Sequence, residues 1–596
     1  MSGRHGYSRA QLSILLALLG IMISCGTTGE GRPEAIPERS EVVREELQER
    51  IAEGTPERAI ERIARLREQE VLSGNELDRL RERAVEELRG LYGQARNDGA
   101  YREAQRRLSS LQVAAPDSAP GSDQLYLSWA LAEEAAGNRV TALQLFGDME
   151  DYSLLTDDLL LRFAEYAGEL GSRESAERLA LSLRLRGLPA PDNLKSEEPG
   201  EVSRQALSGT VTIWVNRGIR MEQGAGVPDR VIGSGFFIDP RGYLITNYHV
   251  IRSEVDPEYE GYSRLFIRLP GSPDTRIPAR VVGYDRLFDV ALLKTELDAP
   301  EVFSFTDIRE LEPGSSVFAI GSPGGLDNSI TSGIISATGR RFLQMGDALQ
   351  IDVPVNPGSS GGPLLTPEGD LVGVIFAGIP QFQGVNFAVP SFWVRQLVPR
   401  LYDGGEVAHS WLGVALREAA DGLAVSYVAP NSPAKRIGLR RDDVITRVAG
   451  TRVRTLAEAQ DVLLDYLPAT LTNVAFRRGQ QALEREVVVD ERPFSPLEYA
   501  LKYQQEDQVF APLFGMEVSD ISTLPWQNKY VVTDVYPGSI ADETGLSPQD
   551  PFSLRKWQVD YERRIALAQI IIQKRKAGFI ESGVQLASYL EQDNFL

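Results

Sequence analysis

The sequence predicts a multidomain chain: an all-α region of helical repeats, an all-β domain, and then a duplicated α+β module. Three observations lead there. Over 41–187, apolar residues recur at helical spacing among Glu, Arg and Ala, with few β-branched residues. Over 207–400, short β-like runs such as GTVTIWV, GSGFFI, YLITNYHVI and GDLVGVIF alternate with Gly, Pro and Asp turns. Over 409–596, Val428, Pro430, Ser432, Ala434, Gly438, Leu439 and Asp443 recur as Val535, Pro537, Ser539, Ala541, Gly545, Leu546 and Asp550, always 107 residues on. A chain of 596 residues has room for about three to five domains.

The N-terminus comes first. Arg4, His5 and Arg9 precede the apolar run QLSILLALLGIMI at 11–23, and Ser24-Cys25-Gly26 follows. A charged segment, a short apolar segment and a small residue make a secretory signal. The run is too short to span a bilayer comfortably. Met22-Ile23-Ser24-Cys25 resembles a bacterial lipobox, with Met where Leu is usual. The resemblance implies that 1–25 is a lipoprotein-type signal ending at an acylated Cys25. Residues 26–40 would then be a tether, and a lipid anchor would hold the protein in the bacterial envelope. Plain secretion to the periplasm is the alternative. Cys25 is the only cysteine, so no intramolecular disulfide is expected.

In the helical region, Gly99, Gly137 and Gly171 are followed five residues later by Ala104, Ala142 and Ala176, and preceded by eight by Leu91, Trp129 and Phe163. Gly54, Ala59 and Ile63 read as a degenerate copy. Each glycine ends a helix, and each alanine lets the next helix approach. A period in the thirties resembles tetratricopeptide repeats, which implies a surface for a protein partner. Stacking alone is a purely structural reason for the same pattern. Residues 188–206, rich in Pro and charge, read as a linker.

A formal net charge of −21 argues against nucleic acid as a partner, because phosphate binding needs basic surface. No phosphate-cradling Gly-Lys-Ser/Thr loop and no cluster of His or Cys ligands occurs, so no cofactor and no metal are expected.

The chemistry centres on NPGSSGGPL at 356–364. Such clusters are ordinarily turns. A serine hydroxyl becomes a nucleophile only when a base takes its proton. The chain has three histidines: His5 in the signal, His409 in a polar linker, and His249 after an apolar strand. His249 is therefore the candidate base. Asp289 abuts the core run Val290–Leu293, where a carboxylate needs a partner; Asp285 is expected to stay solvated near a turn. An oxyanion hole needs converging N–H donors. With Ser360 as nucleophile these come from Ser360 and Gly358. With Ser359 one would have to come from Pro357, which has no N–H.

The order His249, Asp289, Ser360 is that of chymotrypsin-type barrels. GSGFFIDPRGYLITNYHV, DVALLK, AIGSPGG, SGIISATGR, IDVPVNPGSSGGPL and NFAVPS together resemble the HtrA/Deg family of envelope serine proteases, over about 207–490. Ser359 stands where that family usually has Asn. The resemblance implies a trypsin-like double β-barrel at 207–400 with catalytic His249, Asp289 and Ser360 and an oxyanion hole at Gly358 and Ser360. It implies an uncharged specificity pocket at Val353, Pro354 and Val355, suited to small or medium aliphatic side chains. It makes 409–491 a PDZ domain, with Trp411, Leu412, Gly413 and Val414 as the carboxylate-binding loop and 455–467 as the groove helix. A second, atypical PDZ-like module occupies 505–596; Leu513–Met516 is its candidate loop, but no groove helix is evident. The family reading further implies a homo-oligomer, a trimer, and as partners unfolded polypeptides and protein C-termini. The terminal Asp593-Asn594-Phe595-Leu596 is apolar enough to enter the first PDZ groove of a neighbouring subunit, while frayed or packed terminal residues are the plainer reading of the same ending.

Two functions follow. The first is an ATP-independent serine endopeptidase of the envelope that cleaves unfolded or misassembled proteins. The second is a scaffold, in which helical and PDZ modules do the work and the protease domain is silent or gated.

Overall fold

The computed structural model describes residues 39–69, 71–191, 204–222, 224–272, 274–305, 311–325, 328–341, 343, 345–378, 384–503, 506–524, 527–561, 563–575, 579–590 and 594–596. The signal segment, Cys25, most of the tether and most of the linker lie outside them. No helix among the described residues is long and apolar enough to cross a membrane.

The helical region forms four helix pairs: Arg39–Ala52 with Pro56–Leu66, Gly74–Asn97 with Tyr101–Ala114, Asp123–Ala135 with Arg139–Gly147, and Asp157–Glu169 with Arg173–Leu185. Within each pair the turn holds one of the repeat glycines. Gly54, Gly99, Gly137 and Gly171 have φ of 75°, 73°, 80° and 65°. The N–H after each glycine reaches the carbonyl five residues back, Thr55 to Arg50, Ala100 to Ala95, Asn138 to Glu133 and Ser172 to Ala167, at 2.8–3.0 Å. That is the Schellman closure, which satisfies the last carbonyls of the first helix and reverses the chain. Ala59, Ala104 and Ala142 are fully buried, as close approach requires, and Ala176 is half-buried.

The chain divides into two compact units. One comprises the residues up to Pro120 with 469–473 and 484–488. In it, buried Glu57 pairs with Arg106 and Arg107 at 2.9 and 2.7 Å. Arg81 donates to Glu486 at 2.7 Å, and the Leu471 N–H donates to Ser110 Oγ at 3.0 Å.

The other unit holds the remaining helix pairs, two barrels and the C-terminal modules. The first barrel comprises β1 Thr210–Glu222, β2 Ala225–Asp239, β3 Tyr243–Thr246, β4 Arg264–Arg268, β5 Ile277–Asp285 and β6 Val290–Thr295. Its order is β5-β4-β1-β2-β3-β6, closed by β5 against β6. The second comprises β7 Ser316–Gly321, β8 Ser329–Arg340, β9 Ala348–Ile351, β10 Pro363–Leu365, β11 Leu371–Gly378 and β12 Asn386–Pro390, closed in the order β10-β11-β12-β9-β8-β7. Val211, Ile213, Phe237, Leu244 and Ile267 fill the first; Val317, Ile335, Ile351, Leu364 and Ile375 fill the second. Alternating strand residues put one apolar set inside each barrel.

The duplicated modules share their backbone. Ser432 and Ser539 each cap a short helix, Pro433–Arg436 and Ile540–Glu543. The Val425 N–H bonds Asp443 O, and the Val532 N–H, 107 residues on, bonds Asp550 O. The copies then diverge. The first has the helix Leu456–Leu464, while the second runs Pro551–Asp560, Ile565–Arg575 and Phe579–Tyr589 as adjacent antiparallel strands. The second copy also begins earlier than the expected 505: Leu497 and Ala500 of the helix Pro496–Tyr503 lie fully buried in its core.

Candidate active site

His249 stands on the short helix Tyr248–Val255 after β3, and Asp289 stands between β5 and β6. His249 Nδ1 donates to Asp289 Oδ2 at 2.7 Å, and the His249 backbone N–H donates to Oδ1 at 2.8 Å. Both carboxylate oxygens thus grip one residue. Holding the proton on Nδ1 leaves Nε2 as the acceptor nitrogen. The backbone of Asp289 is itself clamped, since Asn247 Nδ2 donates to its carbonyl at 2.8 Å and the Tyr248 N–H at 3.2 Å. Burial pulls the His249 imidazole down, but the charge and hydrogen bond of Asp289 outweigh it, so its pKa lies above the ordinary 6.5.

Ser360 lies in the turn before β10. Its Oγ donates to the Phe376 carbonyl at 3.4 Å, and among the described hydrogen bonds none joins it to His249. The two serines differ in setting: Ser359 is 8% exposed, while Ser360 is half-buried at the surface of the turn. Gly358 has φ of 107°, which disfavours any side chain. Among the described backbone bonds, the Gly358 and Ser360 N–H groups donate to nothing, whereas those of Ser359, Gly361 and Gly362 are all engaged. The turn therefore carries two free donors beside one hydroxyl. Such a set can take negative charge on an oxygen as a hydroxyl attacks a carbonyl carbon.

Ser234, in the GSGFF run of β2, fastens this turn to the first barrel. It is fully buried; its N–H donates to Ser360 O at 2.7 Å and its Oγ to Gly358 O at 2.7 Å, and it accepts from the Ser322 N–H at 2.9 Å. Gly361, φ 87°, packs so closely on Ser234 O that a Cβ would overlap it.

The expected specificity pocket is corrected. Val353 is fully buried inside the second barrel with Val355 packed against that core, and Pro354 is exposed. An extended backbone turns successive side chains to opposite faces, so three consecutive residues do not line one wall.

In the first α+β module, the N–H groups of Leu412, Gly413 and Val414 point at one oxygen of Leu596, at 3.2, 2.7 and 3.3 Å. Trp411 is not a donor there; it is buried, edge-on to Tyr499. In the second module, Leu513 and Phe514 are helical and buried, and the Gly515 N–H is bonded to Ala511 O. Its loop therefore presents no comparable set of donors.

Residues 233–374 match the trypsin-like peptidase domain, 424–472 the PDZ domain and 497–590 the TP0546 family PDZ domain. A probable periplasmic serine endoprotease, DegP-like, from Marinomonas sp. (strain MWYL1) is 31% identical over 340 residues, which cover 54% of this chain and 70% of that protein. The chain belongs to the DegP-like family of serine endoproteases. A second DegP-like relative, from Chlamydia pneumoniae, is 30% identical, with 54% of this chain and 67% of the relative covered. The solved serine endoprotease from Yersinia pestis is 27% identical over 50% of this chain and 99% of its own, at a TM-score of 0.39.

Three parts of this DegP-like protease escaped the sequence reading. Ser234 stands in the GSGFF run, but nothing local says that a serine side chain will cross to another barrel. His409 and Asp285 are corrected outright. Both are buried, and His409 Nε2 donates to Asp285 Oδ2 at 2.6 Å. Asp285 Oδ1 also accepts the Leu287 and Phe288 N–H groups, shaping the turn that carries Asp289. Arg492 is buried nearby; burial pulls its pKa down to about 10 while the Asp285 charge opposes the fall. Gln460, on the Leu456–Leu464 helix, accepts the Gly346 N–H at 2.9 Å and donates to Phe595 O at 3.3 Å.

Proposed function

We propose that this chain is an envelope serine endopeptidase in which Ser360 is the nucleophile, His249 the general base and Asp289 the group that orients and charges the base. The observation that carries the reading is the two-point grip of Asp289 on His249, beside a serine turn with two free N–H donors. On substrate binding the Ser360 hydroxyl turns from Phe376 O to His249 Nε2, loses its proton and attacks the scissile carbonyl. The N–H groups of Gly358 and Ser360 hold the oxyanion. His249 then delivers the proton to the leaving amine. Apo structures commonly show such hydrogen bonds unformed, and they tighten with substrate.

The names of the relatives support a periplasmic or envelope setting, and Cys25 supplies a lipid anchor there. Unfolded polypeptides are the proposed substrates, with small or medium aliphatic residues before the cut. The Ser360 hydroxyl lies against the Phe376 carbonyl, and the Phe376 ring packs on Phe387 at 6.3 Å between centres, an apolar setting that suits an uncharged side chain better than a lysine or arginine. The helix pairs offer a surface for a protein partner, and the chain assembles as a homo-oligomer.

Ser360→Ala is expected to abolish peptide hydrolysis and fluorophosphonate labelling, while Ser359→Ala keeps most of both. Equal loss from the two substitutions overturns the assignment. Labelled palmitate should enter the wild type and not Cys25→Ser; incorporation into both, or neither, rejects the anchor.

A further inference from the structure

The first PDZ groove is filled by its own chain. Asn594–Leu596 runs antiparallel to the strand Val414–Ala419, with Phe595 opposite Ala415. The Leu596 N–H donates to Val414 O at 2.9 Å, and the Leu416 N–H donates to Asn594 O at 2.9 Å. Phe595 and Leu596 are 1% and 2% exposed. Phe595 sits edge-on to Tyr427, 6.1 Å between ring centres, and Gln460 of the groove helix holds its carbonyl. This is strand addition, with main-chain bonds for affinity and side-chain burial for selection.

Burial alone is common for packed terminal residues and needs no ladder. What goes further is the set of three N–H groups on one Leu596 oxygen. A neutral carbonyl has two lone pairs, and three donors with one contact at 2.7 Å suit an anionic carboxylate oxygen. The groove that the segment occupies is that of its own chain. The second module's core is continuous with Trp411, Tyr427 and Ala429 of the first, so the segment that follows it reaches the groove of the same chain.

We propose that Asn594–Leu596 is the resident ligand of the first PDZ groove. An external chain enters only by displacing it, and must itself end in a free carboxylate on a leucine-sized residue after an aromatic one. A tethered ligand acts at an effective concentration on the order of 1 mM, so it masks the groove from weaker or dilute competitors. The inference concerns binding and stands independently of the role given to Ser360.

The probe is a fluorescein-labelled decapeptide ending Asp-Asn-Phe-Leu with a free carboxylate, with its C-terminal amide as control. Anisotropy is read on the full chain carrying Ser360→Ala, on the same chain lacking 594–596, and on one extended past Leu596 by Gly-Gly-Ser. The extension keeps Phe595 and Leu596 but removes the carboxylate from its loop, so it decides the matter if the deletion fails to fold. Both altered chains are expected to bind the acid peptide at least about tenfold tighter than the full chain, with the amide binding none. Equal affinity in full and altered chains overturns the proposal. So does a folded altered chain that binds no peptide, because the segment is then packing and not a ligand. Cleavage of the peptide despite Ser360→Ala sinks the catalytic assignment and leaves this one standing.

Discussion

Asp289 is one of the non-glycine residues with positive φ, at 54°. That region costs a side-chain-bearing residue energy, and aspartate tolerates it better than most. The cost is met by the Asp285 turn and by Asn247 and Tyr248 on the Asp289 carbonyl. The result is a carboxylate that meets His249 at two points. Because the His249 pKa is raised, the imidazolium persists above pH 6.5 and the base is unavailable until the proton leaves. The rising limb of kcat/KM on a chromogenic peptide is therefore expected above pH 6.5. Asp289→Asn should move that midpoint down and cut kcat by roughly 10³–10⁴-fold. An unmoved midpoint would show that the charge of Asp289 does not govern the base. The candidate residues were legible because few histidines exist and because proline lacks an N–H. Ser234 and the His409–Asp285 pair were not, because a long-range hydrogen bond leaves no local pattern.

Among the elements, the helix pairs show how much one residue type settles. Gly99 has φ of 73°, and a Cβ there would meet nothing within 4 Å. The cost of Gly99→Ala is then backbone strain alone, about 1–2 kcal/mol. Chemical denaturation should show that loss, and an unchanged midpoint would mean the turn relaxes without strain. The glycine-to-alanine spacing made these turns readable in advance. The second C-terminal module was readable in part: no groove helix is evident in its later segment, which folds as the strands Pro551–Asp560, Ile565–Arg575 and Phe579–Tyr589. Where it begins was not, because the helix Pro496–Tyr503 is recruited by a core whose other residues lie far along the chain.

At the scale of the molecule, the first compact unit joins the residues up to Pro120 to two strand segments far along the chain, 469–473 and 484–488. Leu471 N–H to Ser110 Oγ, Arg106 to the Ala469 carbonyl, Arg81 to Glu486 and Arg485 to Glu68 are among its polar ties. Deleting 39–120 should speed hydrogen exchange at 469–473 and 484–488, by about tenfold at Leu471 if one hydrogen bond's worth of protection is lost. Unchanged exchange there would show that the strands hold without the helices.

By itself the sequence determined the kinds of domain, their order and the turns, and it singled out the residues proposed for the chemistry. These rest on short-range rules: periodicity, backbone freedom at glycine and proline, and the scarcity of histidine. Tertiary structure alone decided that Ser234 fastens the serine turn, that His409 is buried on Asp285, and that Val353 points into a barrel. It also decided that Leu596 closes on the loop at Leu412–Val414. Each of these joins residues distant in sequence, by a hydrogen bond or, at Val353, by packing in the barrel core, and only the folded chain brings them together.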